Sequence, residues 1–157
     1  MKTITNIFVS LFYSGYFKLW PGTFASVISI LIIFPVIKYQ LVSQEIFIYI
    51  FFIIFTISIF FIKKFSLYTN THDSGKIVID EFLGIYLIFI FYDLIYIFND
   101  FITIMLVFIF FRFFDIVKIF PANIIDKKMN NSLGVLLDDI IASIYTILFI
   151  YTFSQFF

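Results

Sequence analysis

Five apolar runs dominate the chain and limit the folds that it can adopt. The runs cover about residues 24–42, 46–62, 82–98, 101–111 and 140–157. A helix needs about 20 residues, with a range of about 17 to 25, to cross the hydrocarbon core of a bilayer. Four runs reach this range, and the fourth in order is short unless it continues through Arg112 and Asp115.

These runs predict a helical membrane protein. In lipid, only helices and closed barrels satisfy the backbone hydrogen bonds, and the runs lack the period-two alternation of barrel strands. The sequence therefore predicts an all-α, multi-pass protein with four to five membrane-embedded helices. No internal repeat divides the chain, so we expect a single domain over residues 1–157.

The composition agrees with this fold class and excludes several functions. The 157 residues are 63% hydrophobic and only 13% charged, whereas soluble domains carry roughly 25% charged residues. Ten basic and ten acidic residues give no net charge, so the bulk charge implies no nucleic-acid partner. The chain has no cysteine, which excludes disulfides, thiolate metal ligands and cysteine nucleophiles.

Counting crossings places the long polar segments on one side of the membrane. Residues 13–23, 63–81 and 112–139 are separated from each other by two crossings, and the short connections at 43–45 and 99–100 fall on the opposite side. Nine of the ten basic residues lie on the first side. The positive-inside rule then predicts that the three polar segments face the cytoplasm.

Two pairs of adjacent acids begin apolar helices on that side. Asp80 and Glu81 precede the third run, and Asp138 and Asp139 precede the last. The helix macrodipole favours a carboxylate at an N-terminus, which explains one acid better than an adjacent pair. Ionisable groups near membrane depth usually serve a function. Together with Asp115, the two pairs predict a Mg²⁺ site built from hard oxygen ligands.

Basic residues accompany these acids. Arg112, Asp115 and Lys118 recur every three residues, which predicts one helical face. The pattern fits an intrahelical salt-bridge ladder, and it also fits a phosphate site lined by cations. Carboxylates with Arg and Lys at a lipid surface favour metal-assisted phosphoryl chemistry on a lipid head group.

The segment WPGTFAS, residues 20–26, admits two interpretations. Pro21 and Gly22 signal a turn, after which Thr23 or Ser26 can cap a helix. Alternatively, amides and hydroxyls at this helix N-terminus face an anion.

Three sequence blocks resemble one known family. The blocks are PGTFAS (residues 21–26), HDSGKIVIDEFLG (residues 72–84), and FRFFDIVK followed by LGVLLDDIIA (residues 111–118 and 133–142). They are similar to blocks of the phosphatidylglycerophosphatase A family, bacterial enzymes that remove the terminal phosphate of phosphatidylglycerophosphate. The resemblance implies a multi-pass enzyme of the bacterial inner membrane, dependence on Mg²⁺ and a cytoplasmic active site.

The resemblance also implies roles for individual residues. The expected metal ligands are Asp73, Asp80, Glu81, Asp138 and Asp139. The expected catalytic acids, whose separate roles stay open, are Asp80, Glu81, Asp115 and Asp139. The expected substrate-binding residues are Thr23, His72, Arg112 and Lys118. The chain departs from the family pattern where Ile119 and Phe120 replace a usual Pro-Trp.

Two mechanisms and one rival function follow from these residues. Direct attack of water on phosphorus, with a carboxylate as base, is favoured over a covalent aspartyl-phosphate. The rival is a non-catalytic membrane protein, such as a small channel or scaffold subunit. A pore should place polar residues through the bilayer depth, and here the charge crowds one end. The expected partners are the phospholipid substrate and the bilayer, and the oligomeric state stays open.

Overall fold

Helices are the only regular secondary structure in the described part of the chain. The computed structural model describes residues 2–71 and 74–156, and no strand occurs among them. The prediction of an all-α fold is therefore confirmed. Eight α-helices and a short 3₁₀ turn (Ser14–Tyr16) are found, namely α1 Lys2–Val9, α2 Pro21–Lys38, α3 Gln44–Thr69, α4 Ile79–Ile90, α5 Tyr92–Ile95, α6 Asp100–Val117, α7 Ala122–Lys128 and α8 Ser132–Ser154.

Three of these helices are long and apolar enough to cross a membrane. They are α2, α3 and α8, with 18, 26 and 23 residues. At 1.5 Å per residue they measure about 27, 39 and 34 Å, against a hydrocarbon thickness of about 30 Å. They correspond to the first, second and last apolar runs, so the membrane prediction is supported for these three.

The other two runs form different structures from those expected. The run at residues 82–98 breaks at Phe91 into α4, with 12 residues, and α5, with four. A 12-residue helix is only about 18 Å long, which is shorter than the hydrocarbon core. α6 has 18 residues but carries Asp100, Arg112 and Asp115 within them. The described helices thus include three clear candidates for crossing, and not the predicted four to five.

The short helix α4 forms the centre of the bundle. Nine of its twelve residues are buried, and α2, α3, α6 and α8 all pack against it. A helix surrounded on all sides needs no polar face. This explains why its sequence is a continuous apolar run after the acid pair.

Gly84 allows α4 to approach α6 and α8 closely. A Cβ atom at Gly84 would lie 2.6 Å from a ring carbon of Phe111 and 2.9 Å from Ser143 Oγ. The Ser143 hydroxyl lies within hydrogen-bonding distance of the carbonyl oxygens of Gly84 (2.8 Å) and Asp139 (2.7 Å). This contact fixes α8 against α4 one turn beyond the two acid pairs.

The two ends of the bundle are held differently. At one end, the Val78 amide donates to the Val9 carbonyl at 2.9 Å, which joins α1 to the segment before α4. At the other end, Asp100 pairs with Lys38 Nζ at 2.6 Å and accepts a hydrogen bond from the Tyr92 hydroxyl at 2.7 Å. The described parts of the three polar segments meet at the first end. Their cytoplasmic orientation stays a prediction.

We expect Gly84→Ala to destabilise the bundle by about 1–3 kcal/mol, since the added methyl overpacks a contact with an aromatic ring. The matched control is Gly75→Ala, because a Cβ there meets no atom within 4 Å. Thermal unfolding in detergent measures both variants. Equal melting temperatures for the two would contradict the close packing at Gly84.

Candidate active site

A cleft opens at the end of the bundle where the polar segments meet. Its volume is about 390 Å³. The first turns of α2 and α4, the first two turns of α8, the end of α6 and the loop before α4 contribute to it. The lining residues are Trp20, Pro21, Gly22, Thr23, Gly75, Ile77, Asp80, Glu81, Arg112, Asp115, Ile116, Lys118, Val135, Asp138 and Asp139.

Three of the predicted acids form a tight cluster in this cleft. One carboxylate oxygen from each of Asp80, Glu81 and Asp139 lies within 4.8 Å of the other two. The first turn of α4 supplies two of these acids, and the second turn of α8 supplies the third. The close packing of α4 and α8 at Gly84 therefore brings the two acid pairs together.

The cleft has an excess of negative charge. Among the described residues, five carboxylates line the cleft, and the basic side chains that oppose them are those of Arg112 and Lys118. Burial, together with the neighbouring Asp80 and Asp115 carboxylates, raises the pKa of Glu81 well above its ordinary value, and Arg112 offsets this only in part. The cluster therefore requires protons or added cations to neutralise it.

The acid cluster fits a divalent cation. Glu81 Oε2 is buried and has no hydrogen-bond partner within the part of the chain that the structure describes. A buried carboxylate oxygen without a partner is costly, and a metal ion would satisfy it. Three hard carboxylate oxygens are ligands that Mg²⁺ accepts, with water and phosphate oxygens completing its shell. The residues present therefore fit the predicted Mg²⁺, with Asp80, Glu81 and Asp139 as its holders.

Asp138 has a different partner from the other predicted ligands. Its Oδ2 lies 2.6 Å from Lys118 Nζ, and its Oδ1 accepts the backbone N–H of Asp139 at 3.1 Å. It lines the same cleft but lies outside the three-acid cluster. The predicted ligand Asp73 and the predicted substrate-binding residue His72 lie outside the described residues.

Arg112 lies between two of the predicted acids. Its Nη1 is 2.5 Å from Asp115 Oδ2 and 3.7 Å from Glu81 Oε1, and all three side chains are largely buried. The ion pair three residues along α6 is the predicted intrahelical contact. The contact of Arg112 with Glu81 links α6 to α4, so Arg112 also belongs to the cleft.

Lys118 does not share the helical face of Arg112. α6 ends at Val117, and Lys118 has left-handed backbone geometry with φ of 47°. Its Nζ contacts Asp138 on α8 and Asp126 on α7. Burial lowers the pKa of Lys118, but the two carboxylates outweigh this and raise it above its ordinary value. The spacing argument was thus right for Arg112 and Asp115 and wrong for Lys118.

The N-terminus of α2 approaches the acid cluster through Gly22. A Cβ atom at Gly22 would collide with Glu81 Oε1 and lie 3.1 Å from Arg112 Nη1. The helix begins after Trp20 without a side-chain cap, and Ser26 Oγ instead donates to the Gly22 carbonyl at 2.9 Å. The capping interpretation was therefore wrong. Thr23 lines the cleft, as the anion interpretation expects.

Sequence reasoning missed two residues of this arrangement. Gly22 was assigned only to a turn, although a glycine inside a helical first turn is itself a signal of close approach. Asp126 received no role, because nothing in its local pattern links it to Lys118. The short helix α7 brings them together.

Comparison with known proteins identifies the family. The family described as phosphatidylglycerophosphatase A matches residues 7–154. The chain belongs to the phosphatidylglycerophosphatase A family. A relative from Haemophilus influenzae (strain ATCC 51907 / DSM 11121 / KW20 / Rd), named phosphatidylglycerophosphatase A, is 31% identical over 140 residues, which cover 89% of this chain and 82% of the relative. No solved structure matches the chain.

Membership confirms the prediction of a phosphatase over the channel or scaffold alternative. The described geometry agrees with it. Among the described residues, the buried acids all line this one cleft, while the rest of the interior is mainly apolar with isolated Ser and Thr side chains.

We expect Arg112→Met to destabilise the protein by about 3 kcal/mol, because it leaves Asp115 and Glu81 buried without their cation. The matched control is Lys38→Met at the opposite end. Its pair with Asp100 is half-exposed, more so than the Arg112 pairs, so its removal should change stability far less. Thermal unfolding in detergent with a chelator present measures both, and a melting temperature for Arg112→Met equal to that of the control would contradict this.

Proposed function

We propose that this chain hydrolyses the terminal phosphomonoester of phosphatidylglycerophosphate, giving phosphatidylglycerol and phosphate, in the bacterial inner membrane. The observation that carries the proposal is the cluster of Asp80, Glu81 and Asp139 beside Arg112, at the end of an apolar bundle. The name of the Haemophilus influenzae relative supports the same substrate.

The position of the cleft suits a lipid head group. It is formed by one end of α2 and one end of α8, and both helices are candidates for crossing the membrane. A phosphate attached to a membrane lipid would arrive at that level. The remaining predicted crossings, by α4 with α5 and by α6, and the cytoplasmic position of the cleft belong to this proposal.

A cation is needed before a phosphate can enter. The lining carries five carboxylates and two basic side chains, so a dianionic phosphate would be repelled from the cleft. Asp80, Glu81 and Asp139 would hold Mg²⁺. When bound, the ion would supply positive charge that stabilises the phosphate oxygens and lowers the pKa of water.

The other cleft residues have separate roles in the reaction. Arg112 and Lys118 donate hydrogen bonds to phosphate oxygens, and Arg112, which lies beside the acid cluster, also stabilises the charge that develops in the transition state. The first-turn amides of α2, at Gly22 and Thr23, have no intrahelical partner and also face the anion.

Water attacks phosphorus, and its proton passes to a carboxylate outside the cluster, either Asp115 or Asp138. The bond from phosphorus to the glycerol oxygen breaks, and that oxygen takes a proton from solvent. The covalent aspartyl-phosphate is the second mechanism, which burst kinetics would reveal.

We expect Asp80→Asn, Glu81→Gln and Asp139→Asn each to lower phosphate release by about 100-fold or more, because each removes a carboxylate that would hold the cation needed to stabilise the reacting phosphate. The assay uses purified protein in mixed micelles containing phosphatidylglycerophosphate, with Mg²⁺ or with a chelator. The wild type should be active only with Mg²⁺.

The matched control is Asp93→Asn, an exposed acid that lines no part of this cleft. It should retain wild-type activity. Near-normal rates in all three cluster variants would contradict the proposed site. Absence of phosphate release from folded wild-type protein with Mg²⁺ would contradict the proposed reaction.

The orientation has a separate test. The chain has no cysteine, so a single introduced cysteine reports one position. We expect Ser74→Cys, beside the cleft, to react with an impermeant thiol reagent only from the cytoplasmic side. Glu45→Cys, at the opposite end of the bundle, should react only from the other side. The reverse pattern would contradict the positive-inside prediction.

A further inference from the structure

Lys118 is held by two carboxylates that come from different helices. Its Nζ lies 2.6 Å from Asp138 Oδ2 on α8, and it also contacts Asp126 Oδ1 on α7. Asp138 lines the cleft, whereas Asp126 does not. Asp126 is therefore outside the reacting groups and touches them only through Lys118.

The position of Asp126 is fixed by the docking of α7 on α8. The Tyr145 hydroxyl of α8 donates to the Phe120 carbonyl, just before α7, at 2.5 Å. Ala122 at the start of α7 is only 2% exposed. After α7, the Met129 backbone packs so closely on Gly134 that a Cβ there would collide with it. These contacts place Asp126 independently of its ion pair.

Lys118 depends on such a partner because its own backbone gives it little support. It follows the end of α6 in left-handed geometry, and its side chain is a flexible four-carbon stem. With Asp138 as its only partner, the ammonium group would lie on one acid of the cleft and follow that acid's rotamer. A second carboxylate on the far side restrains Nζ between two fixed points.

The two carboxylates do not use all of the hydrogen-bond donors of Lys118. A lysine ammonium group has three N–H donors and no acceptor. Asp126 and Asp138 take two of them, which leaves one donor for a third oxygen. In the cleft that oxygen is available from a substrate phosphate.

We propose that Asp126 is a positioning residue, which holds Lys118 at the edge of the cleft so that one N–H remains directed to the substrate phosphate. This inference rests on the proposed function. Asp126 contacts no substrate atom itself, and it acts through Lys118.

Loss of Asp126 should weaken binding of the phosphate more than the chemical step. A phosphate contact made equally in the ground state and the transition state changes KM and leaves kcat unchanged. We expect Asp126→Asn to raise KM for the lipid about tenfold with kcat within about threefold of wild type, the loss expected for one charge-assisted hydrogen bond. Asp126→Glu, which keeps the carboxylate, should restore most of the affinity.

A double-mutant cycle tests whether the effect passes through Lys118. Lys118→Met should raise KM at least as much as Asp126→Asn, and adding Asp126→Asn to Lys118→Met should cause no further rise. Effects on KM that multiply in the double variant would overturn the proposal, as would a fall in kcat with KM unchanged. If Asp126→Asn yields little folded protein, Asp126→Ala in the two backgrounds carries the same test, because it also removes the carboxylate.

Failure of the proposed reaction is distinguishable from failure of this inference. If folded wild type releases no phosphate from the lipid, the cycle is read from the melting temperature during titration with inorganic phosphate in the presence of Mg²⁺. The phosphate concentration that gives half of the maximal rise in melting temperature should increase about tenfold in Asp126→Asn and in Lys118→Met. It should not increase further in the double variant. A half-maximal phosphate concentration for Asp126→Asn equal to that of wild type would overturn the role of Asp126, whatever the substrate is.

Discussion

Crowding of carboxylates at the end of a buried helix is the interaction on which the rest of the structure depends. α4 is enclosed by four other helices, and its first turn carries Asp80 and Glu81. Charge is expensive in such surroundings unless it is paired. The neighbouring helices therefore supply Arg112 and Lys118 at the same level. Fold and site cannot be separated here, since the helices that bury α4 also carry the groups that face its acids.

The two cations of the cleft neutralise only part of its negative charge. Arg112 is closest to Asp115, and Lys118 is shared between Asp126 and Asp138. Each cation is thus occupied by an acid outside the three-acid cluster. Among the described residues, Glu81 Oε2 is left buried without a hydrogen-bond partner. The protein neutralises the rim of the cleft with its own cations and leaves the centre negative, a distribution that agrees with the divalent cation proposed above.

The sequence was sufficient for the fold class and for most of the cleft, for physical reasons that apply at particular residues. Runs of apolar residues show where helices lie, and the spacing of three residues correctly paired Arg112 with Asp115. Adjacent acids at two helix starts correctly indicated that the two pairs meet in one cleft. These signals are local in the chain, so they can be seen without coordinates.

The errors arose where tertiary packing decides the outcome. Hydropathy cannot tell a helix buried by protein from one buried by lipid, so the run that forms α4 and α5 was predicted as one long helix where the structure has two short ones. Periodicity assumed that α6 continues to Lys118, but the helix ends one residue earlier and the side chain turns to other partners. The contact between Lys118 and Asp126 joins residues that share no periodic pattern, and only the docking of α7 reveals it.

Two glycines determine how closely the charged groups approach one another. At Gly22, a missing Cβ lets the start of α2 lie against the Glu81 carboxylate, and at Gly84 a missing Cβ lets α4 lie against α8. A larger residue at either site would separate the helices that carry the acids and the free amides. Electrostatic stabilisation falls steeply as the groups move apart in a poorly solvated site. The reactivity proposed for the cleft therefore depends on two glycines as directly as on the carboxylates themselves.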